Sequence, residues 1–289
     1  MTSRLFNRQQ QFAIQARALR YHGNKATFLY EAAVDDILDR LSVISRDFAQ
    51  TVALTDPTGY LSTGLRALPN IGQITRTAWS QDQDPDLVTD EEVLPFSRET
   101  LNLIVSPIAL QWANDLPGIL IQARRALKPD GLLIGSMLGG ETLYELRDVL
   151  TTAELELRDG AALRVIPSLD IQTMGGLLQR TGFSLPVIDQ DAITVRYSTF
   201  IDLIRDIRAM GGTSAFADKR TPALNRSILH RAEALYQEKY SDSDGRIRAT
   251  FQIISFSGWA PHESQQRPLE PGGAKQRLED AVRAFDKDK

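Results

Sequence analysis

Residues 125–147, Arg-Ala-Leu-Lys-Pro-Asp-Gly-Leu-Leu-Ile-Gly-Ser-Met-Leu-Gly-Gly-Glu-Thr-Leu-Tyr-Glu-Leu-Arg, decide the fold. An amphipathic helix ends at Leu127-Lys128, because Pro129 has no amide hydrogen with which to continue it and Gly131 permits a tight reversal. The apolar strand Leu132 to Met137 follows at once. This is the helix-to-central-strand step of a doubly wound, Rossmann-like α/β sheet. Gly139-Gly140 and Tyr144-Glu145-Leu146-Arg147 then open another helix on the side of such a sheet where ligands bind.

Outward from this step the elements alternate as an α/β protein requires. Ala26 to Phe48 is a helix with apolar residues near the 3.6 period, among them Phe28, Leu29, Ala33, Ile37 and Leu41. Thr51 to Thr55 is a first strand, Ser62 to Leu68 a helix, Ile71 to Trp79 a second strand, and Asp86 to Thr89 a short third. Leu101 to Ser106 is a continuous apolar run suited to a buried parallel position. Asn114 or Asp115 caps a helix that carries Pro117 in its first turn. Helices over Thr142 to Leu157 and Asp170 to Arg180 precede two strands, Ser184 to Asp189 and Ala192 to Tyr197, whose minimal connection makes them antiparallel. Beyond Tyr197 come helices at Phe200 to Met210 and Pro222 to Tyr240 and an apolar stretch, Ala249 to Trp259. The expected organisation is an N-terminal arm and helix (1–50), an α/β domain (51–197), and a partner or substrate lobe with an irregular, charged tail (198–289).

Composition narrows the chemistry. With 289 residues, 42% of them hydrophobic, the chain can bury a sizeable core. A formal charge of −4 supplies no global field to gather nucleic acid, so no nucleic-acid partner is expected. The absence of cysteine excludes disulfides and thiol chemistry, and three scattered histidines, His22, His230 and His262, argue against a transition-metal centre. No apolar run reaches the roughly 18 residues of a membrane span. The first twenty residues hold Arg4, Arg8, Arg17 and Arg20 without an acid. They read either as a basic helical arm anchored by Leu5, Phe6, Phe12 and Ile14, giving a cytoplasmic protein, or as a mitochondrial transit-like segment, giving a matrix one.

The segments Leu5-Phe6-Asn7-Arg8, Leu94-Pro95-Phe96, Ser106 to Trp112 with Asn114-Asp115-Leu116-Pro117, Leu127 to Gly131, Gly139 to Arg147 and Trp259 to Pro268 together carry a resemblance. The chain resembles the class I S-adenosylmethionine-dependent methyltransferase superfamily, in the branch of the respiratory complex I assembly factor that is a protein arginine hydroxylase. More distantly it is similar to the carrier-protein methyltransferases of biotin synthesis. The resemblance implies a mostly parallel sheet ending in an antiparallel strand, S-adenosylmethionine as cofactor, and a protein substrate, a complex I subunit.

On the cofactor side, the resemblance matches Asp90 and Glu92 to the acids that contact adenine, and Ser106 to the residue after the fourth strand. An exposed acidic loop is the alternative for the first two. Asp56 can receive the cofactor's ammonium or merely form a turn with Pro57, and Gly59 is the one glycine left in the turn after the first strand. That turn reads Thr55-Asp56-Pro57-Thr58-Gly59 where the superfamily is glycine-rich, and Thr75 to Ser80 lacks the acid that holds the ribose. Ser80 to Pro85 is too short and polar for a crossover helix.

On the substrate side, Glu141 with Glu145 and Tyr144 with Arg147 share helical faces, able to grip a substrate guanidinium or to pair among themselves. Trp112 is a pocket-wall aromatic, Gln111 stands where relatives carry histidine, and His262 beside Trp259 lies in a tail that can cover the cleft. Two function classes follow: a methyltransferase-type enzyme acting on a protein side chain, or a catalytically silent relative acting as an assembly factor without the cofactor.

Overall fold

The computed structural model describes residues 4–218 and 222–266. The helix-to-strand step is present but falls earlier than expected, the helix ending at Ala126 and the strand beginning at Leu127, so that Pro129 lies within the strand. Asp115 caps helix α4 (Leu116–Ala126), its carboxylate accepting from the Gly118 amide at 2.9 Å. The chain then passes directly into strand β5 (Leu127–Leu138). Residues 128–131 loop out of register, since Leu101 pairs with Leu127 but Leu103 with Leu132. Gly135 is dictated by packing, because a Cβ there would lie 2.6 Å from the Ser106 carbonyl oxygen and 2.7 Å from the Phe256 ring.

Strands β1 (Phe48–Ala53), β2 (Ile71–Ala78), β3 (Leu87–Val88), β4 (Leu101–Ser106), β5, β6 (Ser184–Tyr197) and β7 (Ile247–Trp259) form one sheet in the spatial order β3-β2-β1-β4-β5-β7-β6. The first five are parallel, and β7 runs antiparallel between β5 and β6. β2 reaches β3 through a single 3-10 turn, Gln81–Gln83, where a crossover helix is the usual solution. On one face, helices α2 (Phe28–Ser42) and α3 (Tyr60–Ala67) cover Leu103, Val105, Leu132 and Ile134. Val34, Ile37 and Leu41 of α2 are fully buried there, each contributing roughly 1.5–3 kcal/mol. On the other face α4 and α6 (Ile171–Arg180) enclose Ile104, Leu133 and Ile254. A further core joins α5 (Tyr144–Leu157), α7 (Phe200–Ala209) and α8 (Arg226–Tyr240) to Ala249 and Phe251 of β7.

Two expectations need correction. Ser184–Tyr197 is one strand, not a pair, because Gln190 and Asp191 remain extended and pair with Ile254 and Ile253. The antiparallel strand beside it comes instead from residues 247–259, so the sheet extends beyond residue 197. The N-terminal arm packs on the rest of the chain through Phe6, one of its expected anchors: helix α1 (Arg8–His22) follows Phe6, which is buried against Trp112 and Ala215, and Asn7 N donates to Ala215 O at 2.8 Å. The irregular tail expected beyond Gln266 lies outside the described residues.

Candidate functional site

A cavity of about 380 Å³ opens over the carboxyl ends of β1, β4 and β5. Gln15, Ala18 and Leu19 of α1, Ile204, Ile207 and Arg208 of α7, residues 163–166 and residues 211–214 cover it; Leu143, Leu146 and Leu150 beside and within α5 supply an apolar wall. Thr55, Pro57, Thr58, Trp79, Glu91 and Gln111 form the end nearest the β1–α3 turn.

That turn is closed on itself. Thr55 adopts a φ of 57°, a left-handed conformation that a β-branched residue rarely takes. Its amide donates to Thr77 Oγ1 at 3.0 Å and its hydroxyl to Glu91 Oε1 at 2.6 Å. The Asp56 amide donates to Thr77 O, and Pro57 has no amide hydrogen. Asp56 is fully buried: Tyr30 donates to it at 2.8 Å, and the Ser62 amide and hydroxyl do so at 2.9 and 2.6 Å, which fastens the start of α3. Burial, with Asp56 opposite, pushes the Tyr30 phenol well above its ordinary range. Gly59 precedes α3 at φ 77°, and the space a Cβ would enter is bounded by the Arg76 guanidinium at 3.6 Å.

Arg76 stands near the end of β2, where an acid would hold a ribose. It donates to Asp56 O at 2.9 Å, Pro57 O at 3.2 Å and Asp84 O at 3.0 Å, bolting the turn to the β2–β3 connection. Of the three acids after β3, Glu91 turns inward and is 3% exposed. Burial raises its pKa above the usual carboxylate range, with the Arg8 guanidinium beside it working the other way. Asp90 accepts from Arg8 at 2.7 Å, and Glu92 accepts from the Asn114 amide at 2.5 Å.

Among the described residues, the buried polar atoms without a protein partner at and around the cavity are the Trp79 indole nitrogen, Gln111 Oε1, Ser106 Oγ, Arg164 Nε and Arg8 Nε. Gln111 Nε2 donates to Ile108 O at 2.9 Å, which fixes the amide with its oxygen left over. Trp79 and Gln111 face the cavity; Ser106 lies buried at the end of β4 outside its lining.

The expected sites are therefore redistributed. Trp112 does line the cavity, 5.3 Å edge-on from Phe6. Asp56, expected to meet an ammonium, is consumed by α3 and Tyr30. Asp90 and Glu92, expected at adenine, hold Arg8 and Asn114. Glu141, Tyr144, Glu145 and Arg147 do not converge on the cavity, because α5 turns its leucines there. Glu145 is buried and accepts from Thr250 Oγ1 at 2.6 Å, and Arg147 donates to Gly140 O and Thr142 O. Tyr144 packs edge-on against Tyr240 at 5.9 Å, and Glu141 is exposed. His262 sits at the opposite, amino edge of the sheet with Arg46, Asn102 and Asp130, its ring nitrogen 2.7 Å from Ser264 Oγ. Glu91 and Trp79 are the residues sequence reasoning missed. The signal for Glu91 is its place within Asp90-Glu91-Glu92, but only the fold shows which acid turns inward.

Tested against S-adenosylmethionine, these residues do not fit the group in the way this fold ordinarily holds it. The amides of Thr55 and Asp56 are spent, Arg76 replaces the ribose acid, and the acids after β3 are taken by Arg8 and Asn114.

A methyltransferase domain model matches residues 52–135. The rat mitochondrial arginine-hydroxylase NDUFAF5 is 37% identical over 272 residues, covering 91% of this chain and 79% of its own length. The malonyl-[acyl-carrier protein] O-methyltransferase of Laribacter hongkongensis is 30% identical over 270 residues, 86% of this chain and 88% of its own. Among solved structures, a Bacillus halodurans protein of methyltransferase type superposes with a TM-score of 0.54 at 14% identity, over 78% of this chain and 98% of that one. Identity that low speaks for the fold alone.

Proposed function

Because this chain belongs to the NDUFAF5 family of class I methyltransferase-fold proteins, we propose that it acts on an arginine side chain of a protein partner in the assembly of respiratory complex I. The observation that carries this reading is the cavity's polarity. Its walls are mainly apolar, and its inner end presents the Glu91 carboxylate and the unpartnered Gln111 oxygen. An arginine has a matching form: an aliphatic stem that prefers apolar walls and a head that only donates hydrogen bonds. The relatives named arginine-hydroxylase supply the same substrate class. No helix among the described residues is long and apolar enough to cross a membrane. The proposed compartment is the one in which complex I subunits are assembled, the cytoplasm or a mitochondrial matrix.

The role of this chain's residues is to bind and orient. The leucines beside and within α5 and the side chains of α7 exclude water from the stem, while Glu91, the acid that lines the inner end, offsets part of the charge that the cavity would otherwise penalise. A second reading, S-adenosylmethionine-dependent methyl transfer, is favoured by the methyltransferase domain match. Calorimetric titration with a short blocked peptide containing arginine, against the same peptide with citrulline, tests the first reading. Arginine is expected to bind at least about tenfold tighter, a difference of about 1.4 kcal/mol. Equal affinity would overturn the arginine assignment.

A further inference from the structure

Arg8 is a guanidinium already seated behind the inner wall of the cavity, against Glu91 and Trp112. Its side chain is 9% exposed. One nitrogen pairs with Asp90 Oδ1 at 2.7 Å and with Glu91 Oε2. Another donates to Gln11 Oε1 at 2.6 Å and to Trp112 O at 3.4 Å, while the head stands 4.6 Å over the ring of Phe12. Two carboxylates on one nitrogen, the Gln11 and Trp112 oxygens on the other and an aromatic face fit a planar guanidinium better than a compact ammonium, with Arg8 Nε alone left without a partner among the described residues. Glu91 and Trp112 are also walls of the cavity, so cradle and cavity share a partition. On the cavity side of that partition lies Gln111, 8% exposed, with an acceptor that no described residue satisfies. A buried orphan acceptor calls for a donor.

We propose that Asp90 and Glu91 form a guanidinium-binding site whose resident occupant is Arg8, and that an arginine entering the cavity takes that site by exchange with Arg8 as the start of α1 lifts. This rests on the arginine reading above and adds the site and the movement. Exchange of one guanidinium for another keeps Glu91 compensated throughout, whereas an ammonium would leave part of the cradle unpaired. α1 starts next to the Asn7 to Ala215 bond and the buried Phe6, so the lifting element is the first turn of α1 between that fastening and the cavity roof at Gln15.

Chemical rescue tests the site. Removing the guanidinium in Arg8→Ala should lower the melting temperature, and methylguanidinium at about 10 mM should raise it again, because a ligand bound to the native state alone stabilises it by mass action. Methylammonium should not do so, and wild type should respond to neither. Equal effects of the two cations, or no rescue, would overturn the proposal. If Arg8→Ala does not fold, Arg8→Lys keeps the charge and takes its place, with the same selective response expected. The exchange itself is read in wild type by hydrogen exchange: the arginine peptide should speed exchange of the first-turn amides of α1, and a bound peptide that leaves them unchanged overturns it. An arginine peptide that fails to bind wild type while methylguanidinium still rescues Arg8→Ala removes the substrate reading and leaves the guanidinium site standing. A peptide that binds without rescue removes the site and leaves the substrate reading.

Discussion

Asp56 shows how a residue placed for chemistry becomes architecture. Its carboxylate is completely buried and takes three hydrogen bonds, from Tyr30 and from the amide and hydroxyl of Ser62, with Arg76 3.6 Å away. Asp56→Ala strands those donors and is expected to lower stability by about 3–5 kcal/mol, the range for breaking a buried charge network. Urea unfolding measures it, and a loss below about 1 kcal/mol, a typical surface value, would contradict the structural role. Glu154 carries a pH-dependent contribution. Burial raises its pKa, but hydrogen bonds from Arg164 and the Ala162 amide, with the charges of Arg164 and Arg158, outweigh that and hold the carboxyl below its ordinary range. Folding thus favours the ionised form. The stability it adds is full above the unfolded-state glutamate pKa and is lost as pH falls through the lower folded value. Glu154→Gln should therefore be less stable at neutral pH and show a shallower loss on the acid side, read as urea midpoints across the acid range.

At the scale of elements, α1 and β6 separate what the sequence reveals from what it hides. Phe6 is 3% exposed in a small cluster with Trp112 and Ala215, edge-on to one ring and stacked on Phe216. Phe6→Ala is expected to cost about 3 kcal/mol. It should also raise hydrogen exchange in α1 before the sheet responds, since α1 depends on this anchor and β4 does not; uniform loosening would contradict that hierarchy. β4 was legible to the residue, because Leu101, Leu103, Ile104 and Val105, broken only by Asn102, suit a short strand buried on both faces. β6 was misread because Asp189-Gln190-Asp191 has the polarity of a turn. In the sheet β6 is the edge strand, and Asp189 is exposed enough to pair with Arg40 of α2 at 2.9 Å. The insertion of β7 beside β5 is a pairing between distant segments, which local pattern does not encode. The site follows the same rule. Trp112 was legible as a pocket wall, whereas the inward turn of Glu91 depends on Arg8, 83 positions away.

For the whole molecule, the decisive question is whether this fold still carries the ligand its topology was built around. The strand order and the cavity at the carboxyl edge are those of a ligand-binding α/β sheet, in which a nucleotide group is held by free amides of the first turn and by acids at the next strand ends. Here the first turn donates inward to Thr77, Arg76 spans from that turn to Asp84, and Arg8 from the N-terminal helix pairs with Asp90 and Glu91. Each of these contacts ties one element to another, so together they convert the nucleotide half of the site into a joint between α1, the β1–α3 turn and the β2–β3 connection. A ligand entering there must break several of them at once, and its binding energy is diminished by what they contribute. Thermal unfolding with S-adenosylmethionine at about 1 mM is accordingly expected to show a stabilisation well under 1 kcal/mol, which corresponds to a Kd weaker than about 0.2 mM. In Arg76→Ala, with the bolt removed, any residual affinity should rise rather than fall. Tight binding by wild type, lost in Arg76→Ala, would mean that Arg76 holds the cofactor itself, and the methyl-transfer reading would then displace the arginine-exchange site as the account of this cavity.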